Sequence, residues 1–179
     1  SPLYVLDSAA LLDRARQFQQ AFAGVLPKVD VFYAVKCNNH PLLVSALARN
    51  GFGLDVSSGL ELAQALDCGA RQIVFSGPGK SEAELETAVQ HAGHVTVLLD
   101  SFAELDQLEQ QATKFDVRVR AGIRVTTVES GIWRKFGIPL DQLAATHGQI
   151  FDDDIVQLGV LPPQVSRMAA SCRFPPRPA

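Results

Sequence analysis

Strand-like apolar runs recur along this chain at an interval of about 19 to 23 residues. They are VDVFYAV (29–35), GFGLDV (51–56), QIVFSG (72–77), HVTVLLD (94–100) and DVRVRAGIRV (116–125). Between them, apolar residues fall at helical spacing: Leu60, Leu62, Ala63 and Leu66; Leu85, Ala88, Val89 and Ala92; Leu105, Leu108 and Ala112. A period-two run followed by a period-3.6 run, repeated, is the pattern of βα units and a parallel sheet. Strands that are nearly continuously apolar fit burial on both sheet faces.

Three of the helices carry a start signal. Ser58 precedes Glu61, Ser81 precedes Glu84 and Ser101 precedes Glu104, each by three residues, the spacing of a capping box. Gly51 and Gly69 stand where helix C-terminal glycines belong. Five units are clear, and IVQLGV (155–160) reads as a sixth strand. A closed (β/α)8 barrel takes about 250 residues, so the 179 residues here predict an incomplete barrel. An open doubly wound sheet is the alternative.

The period ends near residue 146. The partial barrel is therefore assigned to 1–146 and an irregular tail to 147–179. The tail holds Pro162, Pro163, Pro175, Pro176 and Pro178, half of the ten prolines in the chain, and these bar regular structure. It reads as a disordered extension, or as sequence foreign to the fold before it, such as a shifted reading frame produces.

With 47% apolar residues the chain has enough for a core. A formal charge of −3 provides no basic field for nucleic acid or anionic membrane. No apolar run reaches membrane-spanning length, and no charged-then-apolar leader is visible. Cys37, Cys68 and Cys172 are widely spaced and odd in number, which fits a reducing compartment without disulfides or a zinc site. A cytoplasmic protein is expected.

In a parallel barrel, chemistry gathers at the C-terminal ends of the strands. Lys36, Asp55, Ser76, Gly77, Asp100 and Arg124 fall there. A lysine in a partly dry pocket can attack an aldehyde, and a neighbouring carboxylate can orient it and move protons. On periodicity alone Lys36 also reads as a solvated strand end, Asp55 as a turn or capping residue, Arg124 as a structural ion-pair partner and Lys135 as simply exposed. GPGKS (77–81) fails as a phosphate loop, because Val74 stands where the first glycine is required. His91 and His94 lack a third ligand and read as solvated helix-end residues, so no metal is expected. Cys37 reads as a small buried residue, and Asp152–Asp154 as a solvated loop.

The residues carry a resemblance as well. FYAVKCN (32–38) resembles the cofactor-lysine motif of the fold-type III pyridoxal-phosphate decarboxylases, which act on ornithine, diaminopimelate and arginine. GFGLDVSSGLELAQAL (51–66) is similar to the next block of that family and IVFSGPGKSEAEL (73–85) to the third. IRV (123–125) followed by KFGI (135–138) is similar to the fourth. The blocks stand in family order and spacing and cover most of the chain to about Leu143.

The resemblance implies an alanine racemase-like barrel that binds pyridoxal 5'-phosphate and decarboxylates a basic or diamino amino acid. It implies that Lys36 attaches the cofactor, that Asp55 sits beside that lysine and that Arg124 lies close to the cofactor. It also implies that Lys135 faces a homodimer interface at which two subunits complete each site. YAVKCN leans toward ornithine decarboxylases; DVSSGLEL and KFGI lean toward diaminopimelate decarboxylases. A racemase-like or cofactor-carrier barrel, and a non-catalytic fragment that binds a partner, are the alternatives. The family's histidine-glycine-serine block, later phosphate site, acidic partner of the pyridine nitrogen and C-terminal β domain have no counterpart here. The resemblance therefore implies impaired activity for this chain alone.

Overall fold

Asp7 accepts a hydrogen bond from the Ala10 N–H at 3.0 Å and so starts a helix, α1 (Ser8–Ala23), that the period of the later elements did not announce. The computed structural model describes residues 5–26, 28–126 and 136–143, together with the backbone of 156–157 and 169–170. The chain divides into two compact units, Ser1–Val74 and Phe75–Ala179.

In the first unit, α1 is followed by β1 (Phe32–Ala34), a 3-10 turn (Val35–Cys37), α2 (Pro41–Arg49), β2 (Gly53–Val56) and α3 (Gly59–Asp67). β1 and β2 are parallel, with Phe32 opposite Gly53 and Ala34 opposite Asp55. A Cβ at residue 53 would come within 2.4 Å of the Phe32 ring, so only glycine lets the two strands approach here. Leu43, Leu47 and Phe52 pack with Ala15 of α1, and Leu11, Val31 and Tyr33 close over them. Pro41 opens α2 at a position where its missing N–H costs nothing.

β3 (Ile73–Phe75) spans the division between the units. The second unit continues with α4 (Glu82–Gln90), β4 (Val95–Leu99), α5 (Phe102–Phe115), β5 (Arg120–Ile123), β6 (Val125–Thr126) and β7 (Ile138–Pro139). β4 and β5 are parallel, with Leu99 opposite Ile123; β6 and β7 are also parallel. The apolar stripes of α4 and α5 are buried at Leu85, Ala88, Val89, Leu105, Leu108 and Ala112, as their spacing predicts. Polar contacts join the same helices: Gln111 Nε2 donates to Glu82 Oε1 at 3.0 Å, and Lys114 Nζ lies 2.9 Å from Glu86 Oε2. Within each unit, strands adjacent in the chain pair in parallel, β1 with β2 and β4 with β5, the arrangement that successive βα units produce.

Several expectations change in detail. β2 is buried throughout, but β1 is only half-buried and shorter than its apolar run. The run 116–125 begins as a helix end, because Asp116 closes α5 in the left-handed region at φ 52°. Arg124 then divides the rest: its N–H bonds Leu99 O at 2.9 Å and its carbonyl accepts from Ile138 N at 2.8 Å. Only Ser81 and Glu84 make the full reciprocal capping box. Ser58 and Ser101 do cap the N3 amides, but Glu61 and Glu104 reach one residue further back, to the N–H groups of Ser57 and Asp100. Gly51 and Gly69 have positive φ after their helices, as expected. Within the sixth run, β8 (Val156–Gln157) pairs antiparallel with β9 (Ala169–Ala170) rather than parallel with a barrel strand.

Candidate active site

In the first unit the chain turns sharply as soon as β1 ends. Lys36 is exposed and sits in the 3-10 turn, not in the strand itself. The Tyr33 hydroxyl donates to the Asn38 carbonyl at 3.1 Å, and Asn38 N–H donates to Val35 O at 3.1 Å. Asn38 Oδ1 accepts the His40 N–H at 3.0 Å, and Gln64 of α3 donates to Asn39 O at 2.8 Å. Burial first, then the neighbouring Cys37, push the Tyr33 phenol above its usual range, while the Asn38 backbone opposes them. The turn is thus pinned on both sides of Lys36. Cys37, expected to be buried, is exposed because the turn carries it away from the core. Asp55, in β2 opposite Ala34, is only 2% exposed. Lys36 and Asp55 therefore belong to the same, C-terminal, end of paired parallel strands.

The second unit assembles another group at the same end of its own strands. Arg124 Nη1 lies 3.0 Å from Asp100 Oδ1, and Nη2 donates to the Ser76 carbonyl at 3.1 Å. The Phe136 ring lies under the guanidinium, with the Arg124 Cζ 5.5 Å from its centroid. Gly137, at φ 95°, lets this segment turn against Arg124: a Cβ there would stand 3.0 Å from the Arg124 carbonyl oxygen. Burial raises the Asp100 carboxyl above its usual range, and the Arg124 charge opposes that rise. Arg124 is thus an ion-pair residue at a strand end. Lys135, next to Phe136, lies outside the described residues, as do Asp152–Asp154. One His91 ring nitrogen lies 2.9 Å from the Thr87 carbonyl at the end of α4.

A buried pair that the sequence reading did not anticipate stands behind this group. Lys80 is 5% exposed, and its Nζ donates to Leu98 O at 2.6 Å and to Gly77 O. It lies 3.4 Å from Glu104 Oε2, with both side chains buried. Burial pulls the Lys80 ammonium below its ordinary 10.5, and Glu104 works against the shift. By sequence alone Lys80 reads as part of a failed phosphate loop and Glu104 as a capping residue. The available signal was a lysine inside an otherwise turn-like GPGKS.

The pyridoxal binding domain of the pyridoxal-dependent decarboxylases matches residues 9–161. The chain belongs to this family. Among its members, a diaminopimelate decarboxylase of Neisseria meningitidis serogroup A is 38% identical over 127 residues, covering 70% of this chain and 30% of the relative. The L-glutamyl-[BtrI acyl-carrier protein] decarboxylase of Niallia circulans is 32% identical over 156 residues, covering 81% and 36%. The crystal structure of a Helicobacter pylori diaminopimelate decarboxylase complexed with L-lysine matches with a TM-score of 0.71 at 27% identity, covering 81% of this chain and 39% of that one. The chain thus spans about a third of the length of the curated relatives it matches. Its succession of parallel strands and helices is that of an incomplete (β/α)8 barrel.

The cofactor of this decarboxylase family is pyridoxal phosphate. The chemistry of the residues in the first unit fits its attachment end: an exposed primary amine at Lys36 can reach an aldehyde, and a buried carboxylate at Asp55 stands on the adjacent strand.

Proposed function

We propose that this chain is the cofactor-attaching part of a decarboxylase for a basic or diamino amino acid, of the diaminopimelate or ornithine kind. The observation that carries the reading is the placement of Lys36 and Asp55 at one end of paired strands β1 and β2, in a chain of this family. The Neisseria relative bears the name diaminopimelate decarboxylase, and the Helicobacter protein holds L-lysine. Both support a small amino acid as substrate.

Pyridoxal phosphate, when bound, supplies the electron sink that receives the electron pair left when the carboxylate departs as carbon dioxide. Lys36 would hold the cofactor through its Nζ amine. Asp55 would orient Lys36 and hold or pass a proton at its carboxylate. Arg124, held by Asp100 and Ser76, would contribute its charge to the cofactor pocket. Lys135 faces the partner in a homodimer.

We assign the barrel portion to 1–146 and a tail, within which β8 pairs with β9, to 147–179, and place the protein in the cytoplasm. Among the described residues no helix is long and apolar enough to cross a membrane. These 179 residues span about a third of the length of their curated relatives, so slow turnover is proposed for them alone.

Borohydride reduction of the full chain with excess pyridoxal phosphate, followed by peptide mass mapping, tests the attachment. The expected adduct is on Lys36 and disappears in Lys36→Ala. An adduct that persists at full yield in that variant would overturn the assignment. Carbon dioxide release is then measured with diaminopimelate, ornithine and lysine. Turnover is expected below about 1 per second, the low end of the ordinary enzyme range. An adduct with no release from any substrate, even after later family segments are supplied by fusion, points instead to a carrier, a racemase-like barrel or a non-catalytic fragment.

A further inference from the structure

The two groups that hold the Arg124 guanidinium, the Ser76 carbonyl and the Asp100 carboxylate, sit on two different strand-end loops. Lys80 and Glu104 grip both loops. Lys80 Nζ bonds Gly77 O, one residue past Ser76, and Leu98 O, two residues before Asp100. Glu104 Oε2 accepts the Asp100 N–H at 2.8 Å, and its Oε1 accepts the Lys80 N–H at 3.1 Å. The ammonium and the carboxylate, 3.4 Å apart, close the ring.

We propose that the buried Lys80–Glu104 pair is a positioning clamp for Arg124, fixing the spacing between Ser76 O and the Asp100 carboxylate so that one guanidinium spans both. A lysine is suited to this, because one buried ammonium can donate to carbonyls of two loops and still face a carboxylate. A buried pair placed for stability alone would have no need to bond the residues flanking both Arg124 anchors. Lys80 and Glu104 act through Arg124 and are positioning residues, not catalytic ones. The clamp belongs to the cofactor-free chain, so it stands or falls separately from the attachment of pyridoxal phosphate at Lys36.

The test is nitrogen-15 NMR of the arginine side chains in the full, cofactor-free chain. Arg124 signals are identified by their loss in Arg124→Lys. In the unaltered chain, separate and slowly exchanging Nη resonances are expected, because the two Nη atoms have different partners. The double variant Lys80→Met/Glu104→Gln removes both charges while keeping side-chain length, so no unpaired buried charge is left. Its Arg124 guanidinium should rotate about tenfold faster or more, the scale of one lost charge-assisted hydrogen bond. Glu86→Gln, which breaks the more exposed Lys114–Glu86 pair, should leave Arg124 unchanged. A double variant with a native amide spectrum and unchanged Arg124 rotation overturns the proposal, as do averaged Arg124 signals in the unaltered chain. Should the double variant not fold, Glu104→Asp, which keeps the charge but shortens its reach, must speed the rotation; an unchanged rate again overturns it.

Discussion

Arg124 and Asp100 meet at 3.0 Å across the C-terminal ends of β5 and β4, and the same guanidinium donates to the Ser76 carbonyl. The planar fork meets the two partners with two separate nitrogens in fixed geometry, which a shorter reach from one nitrogen at this position does not reproduce. Arg124→Lys should therefore lose the Ser76 bond and the Phe136 stacking while keeping the charge. The expected cost is about 1–2 kcal/mol, by comparison with other hydrogen bonds to charged groups, and urea unfolding followed by circular dichroism would measure it. A variant as stable as the parent would mean that the fork geometry contributes nothing.

Gly137 carries the backbone back against Arg124 at φ 95°. Gly137→Ala combines a left-handed backbone with a Cβ 3.0 Å from the Arg124 carbonyl oxygen. It should destabilise by roughly 1–3 kcal/mol and shift the Phe136 ring off the guanidinium. Thermal unfolding reads the first effect, and the Arg124 NMR signals read the second.

Ser81 holds a complete capping box, with its oxygen on the Glu84 N–H and Glu84 returning to the Ser81 N–H. Ser81→Ala should cost about 1 kcal/mol. Hydrogen exchange should quicken most in the first turn of α4. Uniform quickening over the whole unit would point to global loosening instead of a lost cap.

Lys80 makes stability depend on alkaline pH. Its folded pKa lies below the ordinary 10.5, chiefly through burial. Wherever the ammonium is charged in both states, folding must desolvate that charge. As pH rises through the depressed folded pKa toward 10.5, the unfolded chain binds more protons than the folded one, so the contribution of Lys80 grows with pH. That contribution is lost again as pH falls back through the folded pKa. Unfolding curves for the chain and for Lys80→Met, taken from neutral pH to about 10, should show the chain gaining on the variant as pH rises. A constant or shrinking gap would contradict this.

The periodic part of the fold was legible in the residues because local rules govern it. Alternation of apolar strands with amphipathic stripes set the βα order, and serines three residues before glutamates marked the starts of α3, α4 and α5. The motif around Lys36 and the one around Asp55 placed both at strand ends, where they stand. A spacing pattern cannot say where a side chain's partner comes from when that partner is distant in sequence. Glu104 had the pattern of a capping residue, and only the packing of α5 beside the Gly77–Ser81 turn brought it to Lys80, 24 residues earlier. Arg124 could be read as an ion-pair residue or a site residue; its partners, Asp100 and the Ser76 carbonyl 48 positions away, were chosen by the parallel register of β4 and β5 and the approach of the β3 end. Cys37, with no histidine partner evident, reads as a small buried residue and lies outside, because the strand gives way to a 3-10 turn that local propensity does not encode. Sequence by itself determined the alternation of apolar strands with α3, α4 and α5, since apolar period and N-cap signals are read within a few residues. The tertiary structure decided which charges are buried and which groups they face, since burial and Coulomb attraction act between residues that only folding brings together.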